Sequence, residues 1–216
     1  MTTLTLIRHG QANNTATTED GYDRLSDLGR QQARWLGEHM RATGAEFDKV
    51  FTGSLIRHQQ TAEEWGAEAF TVDERLNEVR YFDLSERMHA QFGIAVPRTH
   101  EEFVDHLPLT FSAWQEGKID GVSETFHDFQ TRVSDVIHDL AGAGDNVIAF
   151  TSGGFIGMAT RVVMGLDIGP FTRAILPIMN SSVHKMRLMP AGLTLTQFNA
   201  VPHLENPARH DAQTHF

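Results

Sequence analysis

The sequence predicts an α/β fold, a three-layer α/β/α sandwich whose mostly parallel sheet is flanked by helices and carries a helical insertion. Three observations lead there. Short β-rich runs alternate with helix-length amphipathic segments between residues 3 and 72, the pattern of parallel strands joined by crossover helices. A continuous apolar run, Val147 to Phe150, reaches Thr151 and passes straight into Ser152-Gly153-Gly154 and another apolar segment. The chain has 216 residues, 40% hydrophobic and 21% charged, enough for a sizeable core without a disulfide or metal.

Thr3-Leu4-Thr5-Leu6-Ile7 has strand propensity and stops at Arg8-His9-Gly10. Residues 11–24 read as a polar loop. Ser26 is placed to cap a helix over residues 27–43, with Leu28, Ala33, Trp35, Leu36 and Met40 on its apolar side and Gly44 as its stop. Residues 49–52 form a second strand, a helix runs from beyond Ser54 to about Ala67, and residues 69–72 form a third strand. From about residue 80 to 120 no strand pattern survives. Thr99-His100-Glu101-Glu102 is a capping box opening a helix that continues around Pro108 to Gln115, and this region is expected to be an insertion over one end of the sheet. Ser123 is the expected cap of the next helix, in which Phe126, Phe129, Val133, Val136, Ile137 and Leu140 recur at helical spacing before Gly142. Residues 146–151 make a buried strand, and residues 183–189 and 193–198 two closing strands. One domain is expected over residues 1–205, followed by a loose polar tail at 206–216.

Composition narrows the chemistry. Cysteine is absent, which excludes disulfides, thiol nucleophiles, iron–sulfur clusters and Cys-based zinc sites. The 28 acidic against 18 basic residues give a net charge of −10, so neither nucleic acid nor an anionic membrane is an expected partner. The opening apolar run meets Arg8 too early for a signal peptide, and a cytoplasmic location is the expectation. Twelve histidines remain as the source of nitrogen nucleophiles. There is no His-Glu-x-x-His, and no metal or other cofactor is expected.

In open α/β sheets, ligands bind beyond the carboxyl ends of the strands. Arg8-His9-Gly10, residues 52–57 and Ser152-Gly153-Gly154 all fall there. Two guanidinium groups and helix N-terminal N–H groups suit a tetrahedral dianion. A histidine between them would be held neutral and nucleophilic by the neighbouring cations, which also stabilise charge on a transferred phosphoryl group.

Leu6-Ile7-Arg8-His9-Gly10-Gln11-Ala12 resembles the Arg-His-Gly signature of the histidine phosphatase superfamily, the phosphoglycerate mutase-like fold. Leu25 to Ala33 is similar to its Leu-Thr-x-x-Gly-x-x-Gln-Ala segment, and Ser54-Leu55-Ile56-Arg57-His58-Gln59-Gln60-Thr61-Ala62 to its Ser-Pro-Leu-x-Arg-x-x-Gln-Thr-Ala block. Leu76-Asn77-Glu78 matches its Leu-x-Glu, while Phe129-x-x-Arg132-Val133 and residues 147–154 match its late helix and last catalytic strand. The resemblance implies that His9 forms a phosphohistidine, that Arg8 and Arg57 clamp the phosphoryl oxygens with Ser152 and Gly153 beside them, and that Glu78 is the acid and then the base. Glu74 is a second candidate acid, more consistent with a solvated turn. The implied substrate is a phosphorylated small molecule or a phosphoprotein, hydrolysed without metal.

One position departs from the family pattern. Thr151-Ser152-Gly153-Gly154 stands where the superfamily usually has Ser-His-Gly-Gly, so a hydroxyl replaces an imidazole that can carry charge. Three readings follow: a slower phosphatase, a phosphatase whose missing charge comes from elsewhere, or a phosphate-binding protein without turnover; a phosphoglycerate mutase-like phosphotransferase is a further alternative. His184 is a candidate replacement cation, though a partly exposed strand position fits it better, and His58 is expected to point away from the pocket. Ser152→His is expected to raise activity if a ring fits. Asn13 or Asn14 could reach a phosphate but suit a turn, and a structural role suits His203. His127 and His138 read as solvated, and Trp35 with the phenylalanines of residues 126–155 as core. Gln11, Tyr22, Arg24, Arg80 and Tyr81 are the polar groups expected near the mouth.

Overall fold

The computed structural model describes residues 2–13 and 19–215. The first strand is β1 (Thr3–Arg8), and a short helix, α1 (Glu19–Tyr22), interrupts the stretch that reads as a polar loop. Ser26 caps α2 (Asp27–Ala42) by accepting from the Gly29 N–H. Then follow β2 (Lys49–Thr52), α3 (Ile56–Trp65) and β3 (Thr71–Val72), the last shorter than expected. A 3-10 turn at Glu74–Leu76 leads into α4 (Tyr81–Phe92) and α5 (His100–Gln115). The Thr99–Glu102 capping box forms in both directions, and α5 continues through Pro108. The chain ends with α6 (Phe126–Ala141), β4 (Asn146–Thr151), α7 (Gly153–Met164), α8 (Ile168–Ile175), β5 (Val183–Met189) and β6 (Gly192–Ala200).

These strands form one mixed sheet in the order β3-β2-β4-β1-β5-β6. β3, β2, β4 and β1 run parallel, whereas β5 pairs antiparallel with β1 and β6 with β5. β1 and β4 are buried on both faces, which is why they read as continuous apolar runs. Their side chains still alternate. Leu4, Leu6, Val147 and Ala149 enter a core with Phe129, Val133 and Phe155, while Ile7, Ile148 and Phe150 face Leu36, Met40 and Ala62 on the other side. The insertion joins the first of these cores through Leu84, Met88, Leu107, Phe111 and Trp114. Among the described residues no helix is long and apolar enough to cross a membrane.

Three expectations need correction. The cap of α6 is Thr125, not Ser123: its hydroxyl accepts from the Asp128 N–H, three residues on. Trp35 lies half-buried at the rim, with the Arg209 guanidinium 4.6 Å from its ring centre. The tail is docked rather than loose. Pro207–Ala212 forms a 3-10 helix, and the buried Gln32 amide donates to Ala212 O at 2.7 Å and Thr214 Oγ1 at 3.0 Å. A buried amide requires such partners, and the tail supplies them.

Candidate active site

β1 and β4 end side by side, with Arg8 paired to Thr151 and the His9 N–H donating to Thr151 O at 2.9 Å. His9 and Ser152 are therefore the first residues beyond two adjacent parallel strand ends. The His9 ring is buried, with Nδ1 2.7 Å from Gly10 O. A carbonyl only accepts, so Nδ1 carries the proton and Nε2 keeps its lone pair. Burial, then the charges of Arg57 and Arg8 and the neighbouring His58, push the His9 pKa well below the usual imidazole value. The ring is neutral and of defined tautomer, with a lone pair on Nε2. Gly10 permits the close approach of α2 here, since a Cβ would stand 2.3 Å from Gly29 O.

Arg57 stands in the first turn of α3. Its Nη1 donates to Asp23 Oδ1 at 3.0 Å, and the same carboxylate accepts from the Ile56 and Arg57 N–H groups. Asp23 thus caps a helix whose own N-cap residue, Leu55, offers no side-chain bond. The Tyr22 ring centre lies 5.3 Å from the Arg57 guanidinium carbon. Arg8 Nη1 donates to Ile178 O and, at 2.9 Å, to His215 O. The Nε atoms of Arg8 and Arg57 are both buried without a partner. Buried orphan donors are rare, and two cationic ones beside a neutral imidazole fit an anion with several acceptor oxygens. Gly153 lies against this group: a Cβ there would be 3.5 Å from Arg8 Nε.

Glu78 receives N–H bonds from Gly154 at 2.9 Å and Phe155 at 3.1 Å, so its carboxylate sits on the first turn of α7. Gly154 makes room for it, because a Cβ would meet Glu78 Oε1 at 2.4 Å. The loop carrying Glu78 is fastened by Arg132, whose Nη1 donates to Arg75 O at 2.7 Å and Asn77 O at 2.9 Å. Glu74, in contrast, is exposed in the 3-10 turn. A cleft of about 590 Å³ opens beside Glu78, with Val79, Leu84, Trp114 and Arg80 in its walls. Glu78 is in its lining, whereas His9, Arg8, Arg57 and Ser152 are buried and are not.

The largest departure from expectation concerns His58. Its ring is wholly buried, with Nε2 2.6 Å from Ser152 Oγ and its centre 5.9 Å from that of His9. It points into the site. The signal was present in the sequence: His58 shares one helical face with Thr61 and Ala62, both buried. Burial and then Arg57 lower its pKa well below the usual value. A ring at position 152 that followed the direction of the Ser152 hydroxyl would meet His58 Nε2, 2.6 Å from Oγ. His184 is fully buried rather than partly exposed, and it is spoken for: Nδ1 accepts from the Asn199 N–H, so Nε2–H donates to Ser182 Oγ at 2.9 Å.

The remaining candidates divide. Tyr22 lies against Arg57, but Gln11 is turned to Ser26, and Tyr81 bonds His106 Nδ1 at 2.7 Å within the insertion. Arg24 and Arg80 are exposed, as are His127 and His138. Asn13 Nδ2 donates to Gly21 O at 3.3 Å, and Asn14 lies outside the described residues. His203 is buried against Ser181. Among the described residues no group of three His, Asp or Glu side chains could hold a metal ion. Asp23 and the His215 carbonyl were not foreseen; each meets its arginine only through tertiary folding.

The sequence model of the histidine phosphatase superfamily (branch 1) matches residues 4–201. A stretch of 60 residues is 38% identical to the mitochondrial serine/threonine-protein phosphatase Pgam5 of Drosophila grimshawi, covering 28% of this chain and 20% of that protein. Another of 91 residues is 40% identical to the 2,3-bisphosphoglycerate-dependent phosphoglycerate mutase of a Methylobacterium species, covering 38% of this chain and 44% of that one. The chain therefore aligns with less than half the length of these curated relatives. Among solved structures, the phosphoserine phosphatase of Entamoeba histolytica in complex with phosphoserine superposes with a TM-score of 0.70 at 19% identity, covering 94% of this chain and all of that one.

Proposed function

Since the chain belongs to the histidine phosphatase superfamily, we propose that it hydrolyses phosphomonoesters through a phosphohistidine on His9, without a metal. One observation carries this reading: a neutral imidazole with a free Nε2 lone pair stands beside two buried arginines whose Nε–H groups lack acceptors. In the first step Nε2 attacks phosphorus, the P–N bond forms and the P–O ester bond breaks. Arg8 and Arg57 hold the oxygens as charge builds on them. Glu78 gives its proton to the leaving oxygen. In the second step Glu78 takes a proton from water as the water oxygen attacks phosphorus, the P–N bond breaks and phosphate departs. The reading favours Glu78 over Glu74 because the Glu78 carboxylate accepts from the Gly154 and Phe155 N–H groups of α7, next to Gly153, while Glu74 is exposed.

The cleft beside Glu78 is of a size that holds small organic groups, so the substrate class is a phosphorylated small molecule whose leaving group occupies it. The test is turnover of an aryl phosphate in the presence of chelator. Wild type is expected to be active and His9→Ala to fall to background, with ³²P on wild type acid-labile and base-stable. Phosphate binding without turnover above the His9→Ala level overturns the enzyme reading.

A further inference from the structure

His58 on α3 and Ser152 at the start of α7 meet through their side chains. Their atoms lie 2.6 Å apart in a fully buried setting, and the proton arrangement between them can be worked out. His58 Nδ1 is buried without a partner. An unpaired buried acceptor is tolerated better than an unpaired N–H, so Nδ1 holds the lone pair and Nε2–H donates to Ser152 Oγ. The same protein contains a second such pair. At His203, Nε2 lies 2.7 Å from Ser181 Oγ, Nδ1 is again unpartnered, and the serine hydrogen goes to Asn180 O at 2.7 Å. Ser152 has no such acceptor among the described residues. Its hydroxyl hydrogen is free to point toward an anion between Arg8, Arg57 and His9.

We infer that His58 is a positioning residue that acts through Ser152: its Nε2–H fixes and polarises the hydroxyl, and the hydroxyl donates to a phosphoryl oxygen during transfer at His9. This rests on the phosphohistidine reading and adds to it a two-residue donor, with the imidazole on α3 and the contact atom at the start of α7. Gly53 belongs to the device. A Cβ there would stand 2.3 Å from His58 Nδ1 and 2.7 Å from Asn77 Oδ1, so the ring has its seat only because residue 53 is glycine. The groups that face the ring are the Arg57 guanidinium on its own helix, the Ser152 hydroxyl at the start of α7 and the neutral His9 ring, whose centre lies 5.9 Å away.

Histidine exchange between the two positions tests the inference. Ser152→Ala and His58→Ala are each expected to lower kcat for an aryl phosphate about ten- to a hundredfold, with KM changed much less. His58→Gln, which can still place an N–H on Ser152, is expected to keep more kcat than His58→Ala. Ser152→His alone loses activity because two rings compete for one space, whereas His58→Ala/Ser152→His regains at least about tenfold over His58→Ala. A merely structural His58 would not be rescued from position 152. Wild-type kcat in His58→Ala, or a double variant no better than the singles, overturns the inference. If wild type shows no His9-dependent turnover, the phosphohistidine reading falls by itself and calorimetry with inorganic phosphate decides the relay. Binding about tenfold weaker in both Ser152→Ala and His58→Ala supports it, and unchanged binding overturns it.

Discussion

Asp23 holds Arg57 and caps α3 with the same carboxylate, so one substitution should affect two quantities. Asp23→Ala is expected to cost about 1–2 kcal/mol of stability through the lost cap, read as a lower urea midpoint, and to weaken phosphate binding several-fold by freeing Arg57. Unchanged phosphate affinity would mean that Arg57 needs no tether. At Glu78, replacement by glutamine keeps the shape and removes the transferable proton. Glu78→Gln should lower kcat about 10²–10⁴-fold for an alkyl phosphate and less for a nitrophenyl ester, whose leaving oxygen needs little protonation. Equal losses on both substrates would remove Glu78 from the acid role. That Arg8, His9, Arg57 and Glu78 come near one another was legible, because each lies at a strand end or in a block with fixed spacing. His58 was misread for a physical reason: motif blocks assign work to positions, while its helical face, shared with Thr61 and Ala62, already placed it inside. Asp23 left no local trace, since its partners lie 33 and 34 residues away.

At the scale of elements, the loop between β3 and α4 has little regular structure of its own, yet it carries Glu78. Arg132 on α6 holds it through two carbonyls while its other nitrogens clasp Glu124 in a bidentate pair. Arg132→Ala should therefore lower kcat by about tenfold or more while phosphate binding stays within about threefold, because the arginine clamp is untouched. A loss of phosphate binding as large as the loss of kcat would contradict that division. The docked tail offers a comparable test. Gln32→Leu leaves Gln11 N–H and Ala212 O without partners and should cost about 2–4 kcal/mol, with faster proteolysis at residues 207–215. Tail cleavage no faster than in wild type would show that Gln32 is not its anchor. β1, β2 and β4 were legible as strands from propensity and apolar runs. The tail was not, because its polar residues are satisfied by groups that folding alone brings near, such as Arg8, 207 residues from His215.

Across the whole molecule, buried histidines set the response to acid. His184 and His203 are held at about 3 by burial, against 6.5 when exposed, and His9 and His58 are lowered in the same direction. Between those limits the unfolded chain binds more protons than the folded one, so stability is full above about pH 6.5 and is lost as pH falls toward 3. At pH 5.5 each such imidazole costs up to about 1.4 kcal/mol. The urea midpoint is expected to fall steadily from pH 7 to pH 5; a flat profile would mean that these rings stay protonated or exposed in the fold. The order of the strands has another consequence, for synthesis. β1 begins at Thr3, yet it lies between β4 and β5, which end at residues 151 and 189. At ordinary translation rates, on the order of ten to forty seconds separate the emergence of β1 from that of its last partner. Through that interval Leu4, Leu6 and Ile7 remain an unpaired apolar strand, so the segment that ends at His9 is made well before either of its neighbours and is in need of a chaperone until they arrive.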